Sequence, residues 1–237
     1  MARRPLLARR GLAAVMIVCA ALGAAALGVR YARTHTPGRL DRHLDDEIQR
    51  RVAGHSGLLL RVIDLADPGS VIVFCALLCA LFLLMNRSRL AVLAVLGPAL
   101  AGGLVDLVLK PLFDRHLGST LSFPSGHTAA TTSLALVVIM AMIGPSRLPW
   151  PVVFRWLIAL AATAAVPVIA IALVGGGYHY ATDTFGGLLV AIACVLSVAL
   201  VIDVIAGQPD SYRGAHNKLV PAQANRSDDA ALPSVRA

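Results

Sequence analysis

Two histidines and one carboxylate lie at the ends of long apolar runs, where an ionisable side chain without a task is costly. His179 precedes Asp183 by four residues, so on a helical turn their side chains meet on one face. Asp183 can then accept a hydrogen bond from Nδ1 of His179 and leave the Nε2 lone pair free to attack phosphorus. His127, which comes from another segment, can protonate the leaving oxygen.

A second set of residues suits a bound anion. Lys110 and Arg115 supply positive charge after one apolar run, and Ser125 and Gly126 stand at the start of the next. A helix N-terminus presents free N–H groups to anions, Gly126 allows close backbone approach, and Ser125 adds a hydroxyl donor. Together these groups predict a site for a phosphoryl group, whose charge lies on its equatorial oxygens. Asp106, one turn before Lys110, is expected to pair with it.

A metal site is the alternative interpretation of His127, His179 and Asp183, since histidine and carboxylate are ordinary metal ligands. The neighbouring cations disfavour it. Lys110 and Arg115 would repel a divalent cation and attract a phosphate. The sequence therefore predicts phosphate chemistry with no metal ion and no cofactor.

Composition indicates which elements must position these groups. Apolar residues make up 57% of the 237-residue chain and charged residues 14%, which is more apolar surface than a soluble domain can hide in one core. The apolar residues gather into six runs near the length that crosses a membrane as a helix. These runs cover 11–29, 69–85, 90–109, 128–144, 156–175 and 184–206. We therefore predict an all-α fold, a polytopic bundle of six transmembrane helices.

The order of the runs places both histidines on one side of the membrane. Two runs separate the 110–127 loop from the 179–183 loop, so both loops emerge at the same face. The active site is therefore expected at one membrane face. The basic N-terminus predicts a cytoplasmic start, which puts the site outside the cytoplasm. Residues 30–68 would lie on that side as well, and they look like an amphipathic surface helix around Leu40 and Leu44.

The predicted domain organisation is simple. Residues 1–206 form one transmembrane domain, and residues 207–237 form a polar, disordered cytoplasmic tail. The net charge of +8 forms no continuous basic stripe, so no nucleic-acid partner is expected. Arginines before the first run and small residues after it leave open a cleaved secretory signal. The glycine pairs Gly102-Gly103 and Gly186-Gly187 are expected to allow close helix approach.

These residues form three clusters, at 110–116, 124–127 and 179–183. The three clusters resemble the signature of the type 2 phosphatidic acid phosphatase and haloperoxidase superfamily. The strongest part is Pro124-Ser125-Gly126-His127, followed about 50 residues later by His179 and Asp183 at a helical spacing. The order of the clusters and their placement between the spans match as well. The resemblance covers most of residues 69–206.

The resemblance implies metal-independent phosphate hydrolysis at a site on the outer side of the membrane. His179 is similar to the family's nucleophile, Asp183 to its orienting partner and His127 to its general acid. The phosphate-binding groups implied in the same way are Lys110, Ser125 and Gly126.

Two of the three motifs depart from the family's pattern. Leu117 and Gly118 stand where an arginine and a proline commonly follow the lysine, and Arg115 is the predicted substitute for that arginine. Ala172 and Leu173 stand where the third motif usually begins with serine and arginine. One phosphate-binding cation is therefore missing, and the candidates to replace it are His116 and the arginines of the 30–68 segment, for example Arg61.

The function predicted from these residues is a membrane lipid-phosphate phosphohydrolase that acts through a phosphohistidine intermediate in the cell membrane. Its substrate would be of the phosphatidate or prenyl pyrophosphate type. The missing arginine keeps a second hypothesis open, a catalytically weak protein that binds or transports lipid phosphate. Phosphotransfer from the same intermediate to a hydroxyl acceptor is a third. The oligomeric state is left open.

Overall fold

Long apolar helices dominate the structure, as the composition predicts. A computed structural model describes residues 5–207 of the chain. Its helices are α1 (Arg10–Tyr31), α2 (Arg39–Val52), α3 (Ser56–Asp64), α4 (Pro68–Leu84), α5 (Ser88–Leu104), α6 (Lys110–Phe113), α7 (Gly126–Ile143), α8 (Val152–Gly175) and α9 (Ala181–Ala206). Apart from Gly207, the predicted C-terminal tail lies outside the described residues.

The predicted membrane spans are present as helices. Within residues 5–207, five helical stretches are long and apolar enough to cross a membrane, namely α1, Ser88–Phe113, α7, α8 and α9. The remaining predicted run is α4, which has only 17 residues. It joins α3 at a bend of 48°, and the two together form a sixth, broken span. The prediction of an all-α, six-span membrane bundle is confirmed.

The chain between α5 and α7 is irregular and carries several predicted site residues. A π-helical stretch, Val105–Leu109, links α5 to α6. Asp114 then adopts a left-handed conformation with φ 50° and ends α6. A two-stranded hairpin follows, with β1 (His116–Leu117) paired to β2 (Thr120–Leu121). Gly118, at φ 60°, makes the turn, which suits a residue without a Cβ.

The surface helix predicted within residues 30–68 is α2, and the face that it buries is acidic. Asp41 and Asp45 are buried, whereas Leu40 and Leu44 are 54% and 38% exposed. Gln49, further along α2, donates from Nε2 to the backbone carbonyl of Val174 in α8 at 3.2 Å. The helix therefore packs on the protein through its acidic face.

The two glycine pairs behave differently. A Cβ on Gly187 would overlap the carbonyl oxygen of Ser125, and one on Gly186 would overlap the ring of Phe123. At this pair α9 approaches the start of α7 as predicted. The prediction was wrong for Gly102 and Gly103, because a Cβ at either position would meet no atom within 4 Å. Those two glycines line an open cavity instead.

Candidate active site

His127 and His179 converge from separate segments, as the order of the spans predicts. His127 lies in the first turn of α7, and His179 lies in the bend before α9. Their ring centroids are 6.3 Å apart, and the ring planes are inclined by 64°. A phosphorus atom between them could be approached by one ring and the leaving oxygen by the other. The loops therefore share one site.

Asp183 adjoins His179 but forms no short hydrogen bond with it. Nδ1 of His179 lies 3.7 Å from Oδ2 of Asp183, which exceeds the usual hydrogen-bond length. The same Nδ1 is buried and has no hydrogen-bond partner in the described structure. Oδ2 of Asp183 accepts instead from the backbone N–H of Tyr180 at 3.0 Å. The two groups predicted to pair are thus neighbours, within a small movement of contact.

Asp183 also joins the segments that carry the two histidines. Its carboxylate is fully buried, and its backbone carbonyl accepts from the N–H of Ser125 at 3.0 Å. Ser125 is the residue before α7, two positions before His127. This backbone contact, together with the close approach at Gly187, sets the distance between the two imidazoles.

Arg115 is placed differently from its predicted phosphate-binding position. Its side chain is 0% exposed, and Nη1 donates to Oδ1 of Asp183 at 2.5 Å. Nη2 donates to Oδ2 of Asp41 at 2.6 Å. The guanidinium lies between the rings of Tyr31 and Tyr180, 4.3 Å and 4.5 Å from their centroids. The left-handed residue at 114 turns the chain inward here, so both terminal nitrogens contact protein carboxylates and neither faces the cavity.

Two carboxylates from α2 complete this buried region, and sequence reasoning missed both. Oδ1 of Asp41 accepts from the N–H of Thr182, and Oδ1 of Asp45 accepts from the N–H of Ala181, each at 3.0 Å. They satisfy the first N–H groups of α9, which have no acceptor inside the helix. Although burial alone raises the pKa of Asp41, hydrogen bonds from Thr182 and Arg115 hold that pKa below its usual value. Their four-residue spacing on α2 was the available signal, but it did not identify a partner.

The predicted phosphate site lies at the polar end of a cavity of about 570 Å³. Nζ of Lys110 contacts Oδ1 of Asp106 at 2.7 Å, which confirms the pairing expected from their spacing. A Cβ built on Gly126 would lie 3.8 Å from that Nζ. The ammonium group and the first N–H groups of α7 therefore border the same small space, which suits a phosphoryl oxygen.

His127 has an unforeseen partner, Asp67. Nε2 of His127 lies 3.0 Å from Oδ1 of Asp67, at the point where α3 bends into α4. Asp67 precedes Pro68, a pattern typical of a helix start, and nothing in its sequence position relates it to a histidine 60 residues away. The contact orients the imidazole at the mouth of the cavity.

Apolar residues from neighbouring helices form the rest of the cavity wall. They are Ala66, Pro68, Val71, Ile72, Cys75 and Ala76 in and before α4, Val95, Pro98, Ala99, Gly102 and Gly103 of α5, and Ala130 of α7. Ile72 and Val95 are 68% and 42% exposed, on sides of the helices that face lipid in a membrane-spanning bundle. The cavity therefore opens sideways toward the bilayer, and His127 stands at its polar end.

Ser125 is fully buried and acts as the N-cap of α7. Its Oγ accepts from the N–H of Thr128 at 3.4 Å and from Oγ1 of the same threonine at 3.2 Å. The N–H groups of Gly126 and His127, in the first turn, have no acceptor within the helix. Ser125 thus fixes the turn whose backbone borders the phosphate space.

No replacement for the missing third-motif arginine lines the cavity. Ala172 and Leu173 are buried in α8, and Leu173 packs in an apolar cluster with α3. His116 stacks on His35 at 4.8 Å, away from the cavity, and Arg61 is not among the lining residues. Among the described lining residues, Lys110 is the one lysine or arginine. Within residues 5–207, the His, Cys, Asp and Glu side chains form no group of three that could hold a metal ion.

Comparisons with known proteins agree with this architecture. A family model described as the PAP2 superfamily matches residues 12–205. The crystal structure of the first transmembrane PAP2 type phosphatidylglycerolphosphate phosphatase from Bacillus subtilis is similar, with a TM-score of 0.55 and 18% sequence identity. The similarity covers 87% of this chain and 96% of that one, and it supports the fold. No match was found among curated proteins. Because the family model extends over every predicted span and both histidine-bearing segments, the chain belongs to the PAP2 superfamily.

Proposed function

We propose that this protein is a multi-pass membrane phosphohydrolase that removes phosphate from a lipid through a phosphohistidine intermediate. The observation that carries the proposal is the convergence of the two imidazoles. The ring centroids of His127 and His179 are 6.3 Å apart, and His127 lines an apolar cavity together with Lys110. The similar solved structure is that of a phosphatidylglycerolphosphate phosphatase, which supports a lipid phosphate as the substrate class.

The two imidazoles have separate roles in the proposed reaction. Nε2 of His179 attacks phosphorus in line with the ester oxygen, a P–N bond forms, and the P–O bond to the lipid breaks. His127 gives a proton to the departing oxygen. Asp183 holds Nδ1–H of His179 and stabilises the positive charge that develops on the ring. Water, deprotonated by His127, then attacks phosphorus, and inorganic phosphate leaves as the P–N bond breaks.

Phosphate binding falls to Lys110 and to the backbone N–H groups of Gly126 and His127. Lys110 must exchange its contact with Asp106 for a phosphate oxygen, which is favoured because the Asp106 side chain is 58% exposed and readily hydrated. These donors neutralise the phosphoryl charge in the proposed mechanism without a metal ion. Ser125 and Arg115 support the site from behind.

The lipid portion of the substrate is assigned to the apolar part of the cavity. Among the described lining residues, those from α4 and α5 are all uncharged, and Asp106 and Lys110 lie at the polar end of the cavity. An acyl or prenyl chain there would remain in contact with the bilayer while the phosphate reaches the histidines. Phosphatidate-type and prenyl pyrophosphate-type lipids both meet this description.

The test is phosphate release by purified protein in detergent, with chelator present, from phosphatidic acid, diacylglycerol pyrophosphate, phosphatidylglycerolphosphate and a prenyl pyrophosphate. We expect His179→Ala to reduce turnover to background and His127→Ala to reduce it by about 10² to 10⁴. His55→Ala, which changes an exposed histidine before α3, is the matched control. Unchanged turnover in His179→Ala would rule out the proposed nucleophile.

Trapping the intermediate tests the mechanism separately. A substrate labelled in the scissile phosphate should leave label on the protein that is stable to alkali and lost in acid, as expected for a P–N bond. The label should be absent from His179→Ala and should accumulate in His127→Ala if leaving-group release precedes slow hydrolysis. Label retained in His179→Ala would contradict the assignment.

A weak lipid-phosphate binding protein is the second candidate, and one observation favours it. Lys110 is already paired with Asp106, and no other lysine or arginine lines the described cavity wall. Tight binding of a lipid phosphate without phosphate release would support this candidate. Phosphate that is recovered on a glycerol acceptor, and not as inorganic phosphate, would indicate phosphotransfer from the same intermediate.

The active site is proposed to face away from the cytoplasm at the cell membrane. The arginines that precede α1 support this orientation, and both histidines lie at the opposite end of α1 from them. Ser119→Cys, in the exposed turn between β1 and β2, should react in intact cells with a maleimide that cannot cross membranes. Labelling only after the membrane is permeabilised would reverse the orientation.

A further inference from the structure

We propose that Arg115 and Asp41 are positioning residues that hold Asp183 at the nucleophilic histidine and thereby link catalysis to the docking of α2. The inference rests on the proposed function of His179. The residues involved are termed the Arg115 cluster and are Asp41, Arg115, Thr182 and Asp183.

The Arg115 cluster is a buried charge network and not a surface ion pair. The side chains of Asp41, Arg115 and Asp183 are each 0% exposed. Such charges persist in a protein interior only when each is paired and hydrogen-bonded. Each terminal nitrogen of Arg115 donates to one carboxylate, Nη1 to Asp183 and Nη2 to Asp41. If either carboxylate is removed, the positive charge of Arg115 interacts more strongly with the one that remains.

Arg115 limits where the Asp183 carboxylate can lie. Oδ1 is held by Nη1 of Arg115 at 2.5 Å, and Oδ2 is held by the N–H of Tyr180 at 3.0 Å. With both oxygens held, the carboxylate has little freedom to rotate. The distance of 3.7 Å between Oδ2 and Nδ1 of His179 is then determined by the position of the guanidinium.

Nε of Arg115 is buried without a hydrogen-bond partner in the described structure, and so is one ring nitrogen of His179. That ring nitrogen is Nδ1, and a typical bond length of about 2.9 Å requires a shift of less than 1 Å toward Asp183. A small displacement of Arg115 therefore decides whether the nucleophile is oriented. Since Nδ1–H must be held for Nε2 to attack, this contact should affect turnover more than substrate binding.

The surface helix α2 controls the guanidinium from the other side. Oδ2 of Asp41 accepts from Arg115, and its Oδ1 accepts from the N–H of Thr182 at the start of α9. Asp45, one turn later on α2, accepts from the N–H of Ala181. Docking of α2 therefore fixes the positions of Arg115 and of the first turn of α9, which carries Asp183.

Removing the charge of Asp41 has a predictable effect on the His179 ring. Asp183 and Tyr180 lie beside that ring, as does His127 with its partner Asp67. Arg115, Asp41 and Asp45 lie behind Asp183, and Lys110 and Asp106 line the cavity that His127 borders. Loss of the Asp41 charge takes one negative charge away and lets Arg115 neutralise Asp183 more completely. Both changes remove electrostatic stabilisation of the positive charge that develops on the His179 ring during attack.

The experiment compares Asp41→Asn with Asp46→Asn in the full-length protein in detergent. Asp46 is an exposed aspartate on the same helix, outside the Arg115 cluster, and the substitution is chemically identical. For Asp41→Asn we expect kcat to fall about 10-fold with KM within twofold, and the acid limb of the pH–rate profile to differ from that of the wild type. Asp46→Asn should match the wild type in all three quantities.

A histidine NMR titration reads the same effect without turnover. The ring signals of His179, assigned by their loss in His179→Ala, should depend on pH differently in Asp41→Asn than in the wild type, and as in the wild type in Asp46→Asn. A wild-type titration and a wild-type kcat in folded Asp41→Asn would overturn the inference. Retained turnover in His179→Ala would instead overturn the proposed function, and the titration would still decide whether Asp41 acts on that ring.

Arg115→Lys covers the outcome in which Asp41→Asn does not fold. Lysine keeps the positive charge but cannot hold two carboxylates with two nitrogens. We expect kcat to fall about 10-fold with KM little changed, since the positioning is lost and the phosphate contacts are not. Wild-type kcat in folded Arg115→Lys would overturn the inference as well.

Discussion

Gly126→Ala should separate catalysis from folding, because Gly126 borders the phosphate space without being packed tightly. A Cβ at this position would lie 3.5 Å from Oδ1 of Asp106 and 3.8 Å from both Nζ of Lys110 and Cγ1 of Val105. These are ordinary contact distances, so the fold has room for the methyl group. Alanine also favours the first turn of a helix over glycine by up to about 1 kcal/mol. Stability should therefore be unchanged or slightly higher.

Activity should fall, and the size of the loss follows from how far the new methyl group would displace the phosphoryl group. A phosphate oxygen bound to Lys110 and to the first N–H groups of α7 would occupy the space that the new methyl group enters. Displacement of the phosphoryl group by about 1 Å can cost on the order of 100-fold in rate. We therefore expect kcat/KM to fall about 30- to 100-fold, or about 2–3 kcal/mol of transition-state stabilisation.

The assay is kcat/KM for phosphate release in detergent micelles, with thermal unfolding of the same preparations. Gly69→Ala is the matched control, since Gly69 lies in the first turn of α4 and a Cβ there would meet nothing within 4 Å. Gly187→Ala is the opposite comparison, because its Cβ would overlap the Ser125 carbonyl oxygen and should lower stability by about 1–3 kcal/mol. Folded Gly126→Ala with more than one-third of wild-type kcat/KM would refute this reasoning.

Three further predictions concern single side chains. Lys110→Gln should lower kcat/KM by about 100-fold in the presence of chelator, because the phosphate loses its nearest cation. Near-normal kinetics in this variant would contradict the phosphate-binding role of Lys110. Ser125→Ala should lower the free energy of unfolding by about 1 kcal/mol through loss of the α7 cap, read as a lower unfolding midpoint. Burial, with repulsion from neighbouring carboxylates, raises the pKa of Asp45 to about 6 from 3.8, so the folded state binds the proton more tightly than the unfolded state. Stability should therefore fall as pH rises from about 4 to about 6, and Asp45→Asn should unfold with a midpoint that no longer falls over that range.

Hydropathy was sufficient to predict the spans, because an apolar run of membrane length has few alternatives to a helix. The observed α7, Gly126–Ile143, and the predicted run 128–144 differ by two residues at most. The exception is the second span, where α3 and α4 meet at a bend before Pro68. A hydropathy run records how apolar a segment is and contains no information about the angle between two helices.

Convergence of the histidines was also predictable, since parity of the spans depends only on their number. The partners of Arg115 were not. Asp41 lies 74 residues away from it, and a long-range ion pair leaves no periodic pattern in a single sequence. An arginine five residues after Lys110 therefore suggests a phosphate ligand, whereas the left-handed residue Asp114 sets its actual direction.

The orientation of α2 was the least predictable feature of the fold. Leu40 and Leu44 predict an amphipathic surface helix but do not show which of its faces packs on the protein, and Asp41 and Asp45 occupy the buried face. The free N–H groups at the start of α9 and the Arg115 guanidinium make that face favourable for carboxylates. Only the assembled structure brings these donors to the helix.

The sideways opening of the cavity between α4 and α5 determines the concentration that governs the enzyme's rate. A lipid that enters from the bilayer arrives by lateral diffusion in two dimensions, so its mole fraction among the surrounding amphiphiles replaces bulk molarity as the kinetic variable. Added detergent should slow turnover by diluting substrate within the micelle surface even when total substrate is constant. A short-chain, water-soluble phosphate ester would escape this dilution and would lose the contribution of the apolar walls.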